Sequence, residues 1–355
     1  MLSKKFINTN PSAPNLFFRS RTFLKRLTFS IKYMINKIKT FYNSEQFQGW
    51  NKKRKYFEGW YYKVINADET KAFAFIPGVA MDEAGNKQSF IQVLDGKKQT
   101  AVYHKFDFKQ FLTQRGDFKI SIQQNQFTKD SVILNLPDIK GSLQFTNLVP
   151  WTKSLFSPGI MGPFSYVPFM ECYHGIVSLD HSIKGQLEID GETVDFTGGR
   201  GYTEKDWGQS FPSAYTWMQS NHFSSQGISV KASVAKIPWI GSSFVGFIAG
   251  VWIYDRLIQF TTYNKSVLRK SKIDATKVEL IIENKNYRIE ILARRNKSTT
   301  LASPILGLMD GRIEESMTTM LEVVVTDMKT QQSIFNDTGR NAGLEVAGNI
   351  QDIII

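Results

Sequence analysis

The chain has 355 residues and a formal net charge of +12, with 42% hydrophobic and 13% aromatic residues. That length allows two domains of ordinary size, and a content of 27 Phe and 7 Trp excludes a largely disordered polymer. The charge is local: residues 1 to 55 hold 13 Lys and Arg against Glu45 alone, and the remaining 300 residues balance at 31 basic and 31 acidic. A neutral body offers no basic face for a phosphate backbone, so nucleic acid is not expected as a partner. With Cys172 as the single cysteine, no internal disulfide or thiolate cluster can form. His104, His174, His181 and His222 show no ligand spacing among themselves, and no metal is expected.

In the leader, residues 1–45, Leu27, Ile31, Met34, Ile38 and Phe41 recur every three or four positions, and Lys25, Arg26, Lys32, Lys37 and Lys39 fall largely between them. This spacing predicts a basic amphipathic helix. Several readings stay open: peripheral contact with an anionic membrane, an organellar transit segment, a solvated and partly disordered extension, or an upstream start with Met34 as the real beginning. The apolar stretches are too short for a secretory signal, which leaves a cytoplasmic or organellar location.

From residue 56 onward the texture is short apolar or alternating runs. Strands are predicted at 57–65, 72–76, 89–94, 118–123, 132–136, 172–179, 186–189, 214–223, 230–235, 244–254, 278–283, 287–292 and 321–327, with turn residues between them. No sustained helical period interrupts them, so the fold class is all-β, a sandwich or barrel. The uncharged run 237–254 is broken by Pro238, Gly241, Gly246 and Gly250 and reads as a loop and a buried strand, not a membrane span. The Pro- and Gly-rich run 151–168 reads as a linker, giving a first half at 46–165 and a second at 166–355.

Three stretches mix polar groups with aromatics. In YFEGWYYKV (56–64) alternation puts Glu58, Trp60 and Tyr62 on one face and Phe57, Tyr61 and Lys63 on the other. In FMECYHGIVSLDH (169–181) Glu171 and Tyr173 oppose Cys172 and His174. In GYTEKDWGQSFPSAYTWMQSNHF (201–223) a turn at EKDWG is expected to lead into a strand. Tyr215, Trp217, Gln219, Asn221 and Phe223 share one face of that strand, with His222 on the other. Amides beside aromatics are costly in a dry core and are easier to explain as the lining of a ligand cavity.

These stretches, with NKQSFIQV and GPFSYVPFMECYHGIVS, resemble the tocopherol cyclase family, from about Phe47 to about Gly348. Tyr215 stands where a Trp often does in that pattern. The resemblance implies two tandem lipocalin-like halves and a cofactor-free, acid-catalysed cyclisation of a prenylated benzoquinol to a chromanol. It also implies a hydrophobic prenylated small molecule as partner. Such chemistry needs a carboxylic acid kept protonated by burial, aromatic faces beside a cation, anchors for a phenol and an apolar tunnel. The candidates are Asp206, Glu58, Asn221 and His222 for catalysis. Trp60, Tyr62, Tyr173, His174, Trp207, Trp217 and Gln219 are the candidates for substrate binding. Asp206 is the preferred acid, because Trp207 beside it would help to exclude water. A non-catalytic isoprenoid carrier and a hydratase of an isoprenoid alkene are the competing readings, and a carrier would have no acid facing its pocket.

Overall fold

The computed structural model describes residues 42–355, so the predicted leader helix lies almost wholly outside the described residues. The described chain is all-β, with two large sheets, both wholly antiparallel. None of its helices is long and apolar enough to cross a membrane.

Chain order dictates how each sheet rolls up. In the first sheet, Tyr56–Ile65 lies near the middle, and a meander runs outward through Ala72–Met81 and Lys87–Asp95 to an edge at Thr100–Asp107. The opposite edge is Phe111–Thr113, joined to Thr100–Asp107 only by the short turn Phe108–Gln110. Two edges separated by three residues of chain must lie side by side, so the sheet curls into a barrel. The second sheet repeats the plan. Its edges, Arg256–Thr261 and Val267–Ile273, are also consecutive in the chain, and its centre pairs Ala214–Ser220 with Gln332–Gly348.

The two barrels do not divide at the 151–168 run. Cys172–Ile189 and Arg200–Gly208, which the linker reading assigns to the second half, hydrogen-bond into the first sheet, and Arg200–Gly208 pairs with Tyr56–Ile65 along its whole length. The changeover comes between Gly208 and Ala214. A Pro-rich composition marks an irregular segment but not which strands it separates, and the 151–168 run is a loop inside the first barrel's path. EKDWG likewise lies within a strand and makes no turn. The 237–254 run forms a hairpin, Ser229–Trp239 with Ser242–Ile253, turning at Ile240 and Gly241.

Alternation along the strands sorts side chains into three buried clusters. Trp60, Tyr62 and Val64 fill the first barrel with Phe73, Phe75, Phe127 and Leu143. Val230, Ala232, Ala249, Leu280, Ile291 and Val323 fill the second. The third cluster lies where the barrels meet and takes Tyr61, Ile176, Tyr202, Tyr215, Trp217, Leu301 and Ile313. Of the candidate aromatics, Trp217 falls in this last layer, and Trp60 and Tyr62 in the first.

Candidate active site between the barrels

A cavity of about 170 Å³ opens between the two sheets. Its walls are largely apolar, from Phe57, Ile76, Phe90, Ile248, Leu301 and Ile313, yet four carboxyl groups line it: Glu204, Asp206, Glu315 and Glu345. Register explains how they meet. On the first sheet Tyr61 lies opposite Glu204, and Gly59, Asp206 and His174 form the next row. On the second, Trp217 lies opposite Glu345, which lies opposite Glu315.

The rows clasp each other across the gap. The Tyr61 hydroxyl donates to Glu315 on the facing sheet, and the Trp217 indole N–H donates to Glu204 Oε2 at 3.0 Å in the reverse direction. Tyr61 and Trp217 pack edge to face with ring centroids 5.6 Å apart. Tyr202 also donates to Glu204, and Tyr215 donates to Glu345 at 2.7 Å. His174 Nδ1 lies 2.8 Å from Asp206 and its Nε2 3.5 Å from Glu204. Close approach is built in at Gly343, where a Cβ would fall 2.5 Å from the Trp217 ring.

Burial sets the protonation of this cluster. Desolvation pushes Glu315 up to about 7, against the pull of the Tyr61 hydrogen bond and the Lys63 charge. It likewise raises Glu345 well above the ordinary carboxyl range, with Glu315 and Glu204 adding repulsion. Glu204 is raised by desolvation too, opposed by His174 and reinforced by Asp206. The balancing amines are themselves buried: desolvation lowers Lys231 to about 8 and Lys63 to about 7. Lys231 donates to Ser233 at 2.8 Å, and Lys63 to Gln219 Oε1 at 2.9 Å and to the Asn341 carbonyl at 2.6 Å. Two amines cannot neutralise four carboxylates, so carboxyl groups that hold a proton near neutral pH are the expected state. Glu315 Oε2 is buried and takes no hydrogen bond from any described residue.

The candidates from sequence distribute unevenly around this cavity. Asp206, His174 and Trp217 line it. Glu58 does not: alternation turns it away from the cavity, into a closed network with Lys205 Nζ at 2.5 Å, the Tyr56 hydroxyl at 2.5 Å and the Gln48 and Gly49 amides at 2.8 to 3.0 Å. Trp60 and Tyr62 share that direction and fill the first barrel. Asn221 and His222 come after the strand has ended at Ser220. Asn221 donates to Asp180 at 2.9 Å and to the Gly201 carbonyl at 2.8 Å, while His222 rests 3.0 Å from Asn221 Oδ1, held near pKa 3 by desolvation. Gln219 is buried as the acceptor for Lys63 and does not line the cavity. Tyr173 and Trp207 stack at 5.4 Å and line an outer groove of about 450 Å³, with His174 on the shared wall.

Glu315, Glu345 and Lys231 have no counterpart among the sequence candidates. Glu315 sits in the strand Leu308–Asp327, ahead of the 321–327 run expected from sequence, and nothing local marks it as facing Tyr61, 254 positions away. Glu204 lies in the EKDWG run, two positions before the preferred acid Asp206, and is itself a candidate acid from sequence. Among the described residues, His174, Glu204 and Asp206 offer donor atoms within 4.8 Å of one another, a set that could hold a divalent cation. The same atoms already engage one another and Tyr202 and Trp217.

A tocopherol cyclase-like family model matches residues 143–348, more than half of the chain. The chain belongs to this family. Glu204, Asp206, Trp217, Lys231, Glu315 and Glu345 all fall inside the matched span. Over 72 residues the chain is 35% identical to a chloroplastic tocopherol cyclase of Zea mays, a stretch covering 20% of this chain and 15% of that protein. Over 57 residues it is 39% identical to a probable chloroplastic tocopherol cyclase of Oryza sativa subsp. japonica, covering 16% and 12%. The matched stretch is thus a small fraction of those relatives' length. Among solved structures, CghA with Sch210972 superposes at a TM-score of 0.52 and 10% identity, over 82% of this chain and 89% of that one. That likeness extends through both barrels, a lipocalin-like double-barrel fold.

Proposed function

We propose that this family member is an enzyme that closes a prenylated benzoquinol to a chromanol by acid catalysis in the cavity between its barrels, with Glu315 as the acid. The observation that carries this reading is Glu315 itself: fully buried, pushed up to about 7, bonded through one oxygen to Tyr61 and with the other unpartnered in a mostly apolar cavity. A carboxyl group with that titration point supplies both the acid and its conjugate base at neutral pH.

The step balances as an isomerisation. The carboxyl O–H of Glu315 protonates the less substituted carbon of the tail's trisubstituted alkene, leaving a tertiary cation beside the faces of Trp217 and Tyr61. The phenolic oxygen of the head closes on that cation. Its proton leaves to Asp206, with His174 bonded to Asp206 and able to pass the charge on. Proton return to Glu315 completes the cycle, with no atom gained or lost by the substrate.

Side chains Met161, Ser233, Ala235, Ile237 and Ile248 line both this cavity and an adjoining chamber walled by Phe164, Met170, Phe244 and Phe247. That chamber is almost wholly apolar and suits the unreacted part of a tail. A carrier reading gains nothing from four carboxyl groups on the cavity wall, of which Glu204 and Glu315 are buried at a cost that only a role in the chemistry explains. The test is conversion of prenylated quinols by the purified chain, read by mass: an isomeric chromanol supports the proposal, and a hydrated product or none overturns it.

A further inference from the structure

Large apolar side chains stand exposed together at one end of the molecule. In the loop after Trp151, Leu155 is 72% and Phe156 78% exposed, Phe169 is 54% exposed, and Ile240 at the tip of the Ser229–Trp239 and Ser242–Ile253 hairpin is 78% exposed. Contacts join them into one surface. The Leu155 carbonyl accepts from the Tyr166 hydroxyl at 2.8 Å, Tyr166 lies three positions before Phe169, and the Phe169 ring packs 5.6 Å from Trp239, next to Ile240. Behind them Phe164 packs on Trp239 and Phe244 and lines the apolar chamber that continues into the inner cavity. Patch and chamber therefore share a wall.

The basic leader joins the described chain at the same place. The Tyr42 hydroxyl donates to the Leu155 carbonyl at 2.7 Å, and Lys153 Nζ donates to the Tyr42 carbonyl at 2.5 Å. Residues 1–41 contain nine Lys and Arg and no Asp or Glu. Exposed apolar groups of this size mark a docking surface more often than chance decoration. A cationic segment tethered beside them supplies the second attraction that reversible membrane binding requires.

We propose that Leu155, Phe156, Phe169 and Ile240 insert into the headgroup boundary of an anionic lipid membrane. An apolar ligand dissolved in the bilayer then enters the chamber past Phe164 without crossing water. The docking itself does not depend on the catalytic reading.

The test is co-sedimentation of the full chain with phosphatidylcholine vesicles that contain or lack phosphatidylglycerol, at low and high salt. The expected result is binding to the anionic vesicles that weakens with salt. The combined variant Leu155→Ser, Phe156→Ser, Ile240→Ser should bind roughly tenfold or more weakly, since three inserted apolar groups are lost, with an unchanged near-ultraviolet spectrum and melting temperature. Those positions are exposed, so the variant keeps its core. Binding of the variant equal to wild type, or no binding of the wild type, overturns the proposal. So does a concentration-dependent dimer that the variant abolishes in the absence of vesicle binding, which would assign the patch to a second copy.

Discussion

Replacing Glu315 with Gln keeps the acceptor for Tyr61 and removes the transferable proton. Burial raises this carboxyl from 4.5 to about 7, so about nine-tenths of wild-type molecules carry the proton at pH 6 and about one-tenth at pH 8. Turnover by the wild type should therefore fall roughly tenfold between those values. A positioned acid contributes about 10²- to 10⁴-fold, and the variant should lose that much and with it the slope. The assay is chromatographic quantification of chromanol from a prenylated quinol across pH 5.5 to 8.5, where these bounds are set at about the titration point. Stability gives a second reading with a fixed sign. Below about 4.5 the group is neutral folded and unfolded; as pH rises from there to about 7 the unfolded chain loses its proton first, so the fold loses stability over that window and levels off above it. The gap corresponds to on the order of 3 kcal/mol, and Glu315→Gln should lack that decline in denaturant titrations at pH 4.5 and pH 8, about the ends of the window. A variant that turns over within about threefold of wild type, with the same pH slope, would refute Glu315 as the acid.

Other outcomes separate the cavity from its surroundings. Trp217→Phe keeps a ring beside the cation but deletes the donor to Glu204, and should lower kcat by about tenfold with little change in melting temperature. Glu58→Gln should leave the buried Lys205 without its anion and destabilise the fold by about 3 kcal/mol or more, while molecules that remain folded keep their turnover. Asn221→Ala removes donors to Asp180 and the Gly201 carbonyl, and should cost about 2 kcal/mol in a denaturant titration without altering the pH profile. Ile237→Trp should narrow the passage between cavity and side chamber, raising KM for a long-tailed quinol and sparing a short-tailed one. Exhaustive chelation should leave turnover unchanged, because the proton steps proposed for His174, Glu204 and Asp206 need no cation; loss restored by a divalent metal would reassign that trio.

The sequence carried the fold class because alternation and turn chemistry are local: Phe57, Tyr61 and Lys63 do face away from Glu58, Trp60 and Tyr62, and Cys172 and His174 do face the cavity. The cavity lining is legible only in part. Asp206, His174 and Trp217, which line it, lie in dense aromatic and polar runs. Glu315 and Glu345 could not, since each is an isolated acid in an ordinary strand and acquires meaning only from partners across the barrel interface, Tyr61 and Tyr215. Glu58 lies away from the cavity for the converse reason: its neighbours in sequence are aromatic, but the face it occupies is set by a period of two and belongs to the first barrel. Asn221 and His222 lie beyond Ser220, where the strand ends, so the alternation expected over 214–223 does not extend to them. The barrel boundary is not legible locally, because sheet membership of Arg200–Gly208 depends on pairing with Tyr56–Ile65, more than a hundred residues earlier, and Cys172–Ile189 joins the same sheet through Arg200–Gly208.

The most direct test of acid-initiated ring closure is turnover in heavy water with mass analysis of the product. Protonation of the alkene by Glu315 followed by capture by the phenol predicts a chromanol isomeric with the quinol that carries a single non-exchangeable deuterium, on the ring carbon next to the new ether carbon. A product that has gained the elements of water, a chromanol without that deuterium, or a quinol recovered unchanged from the cavity would contradict it.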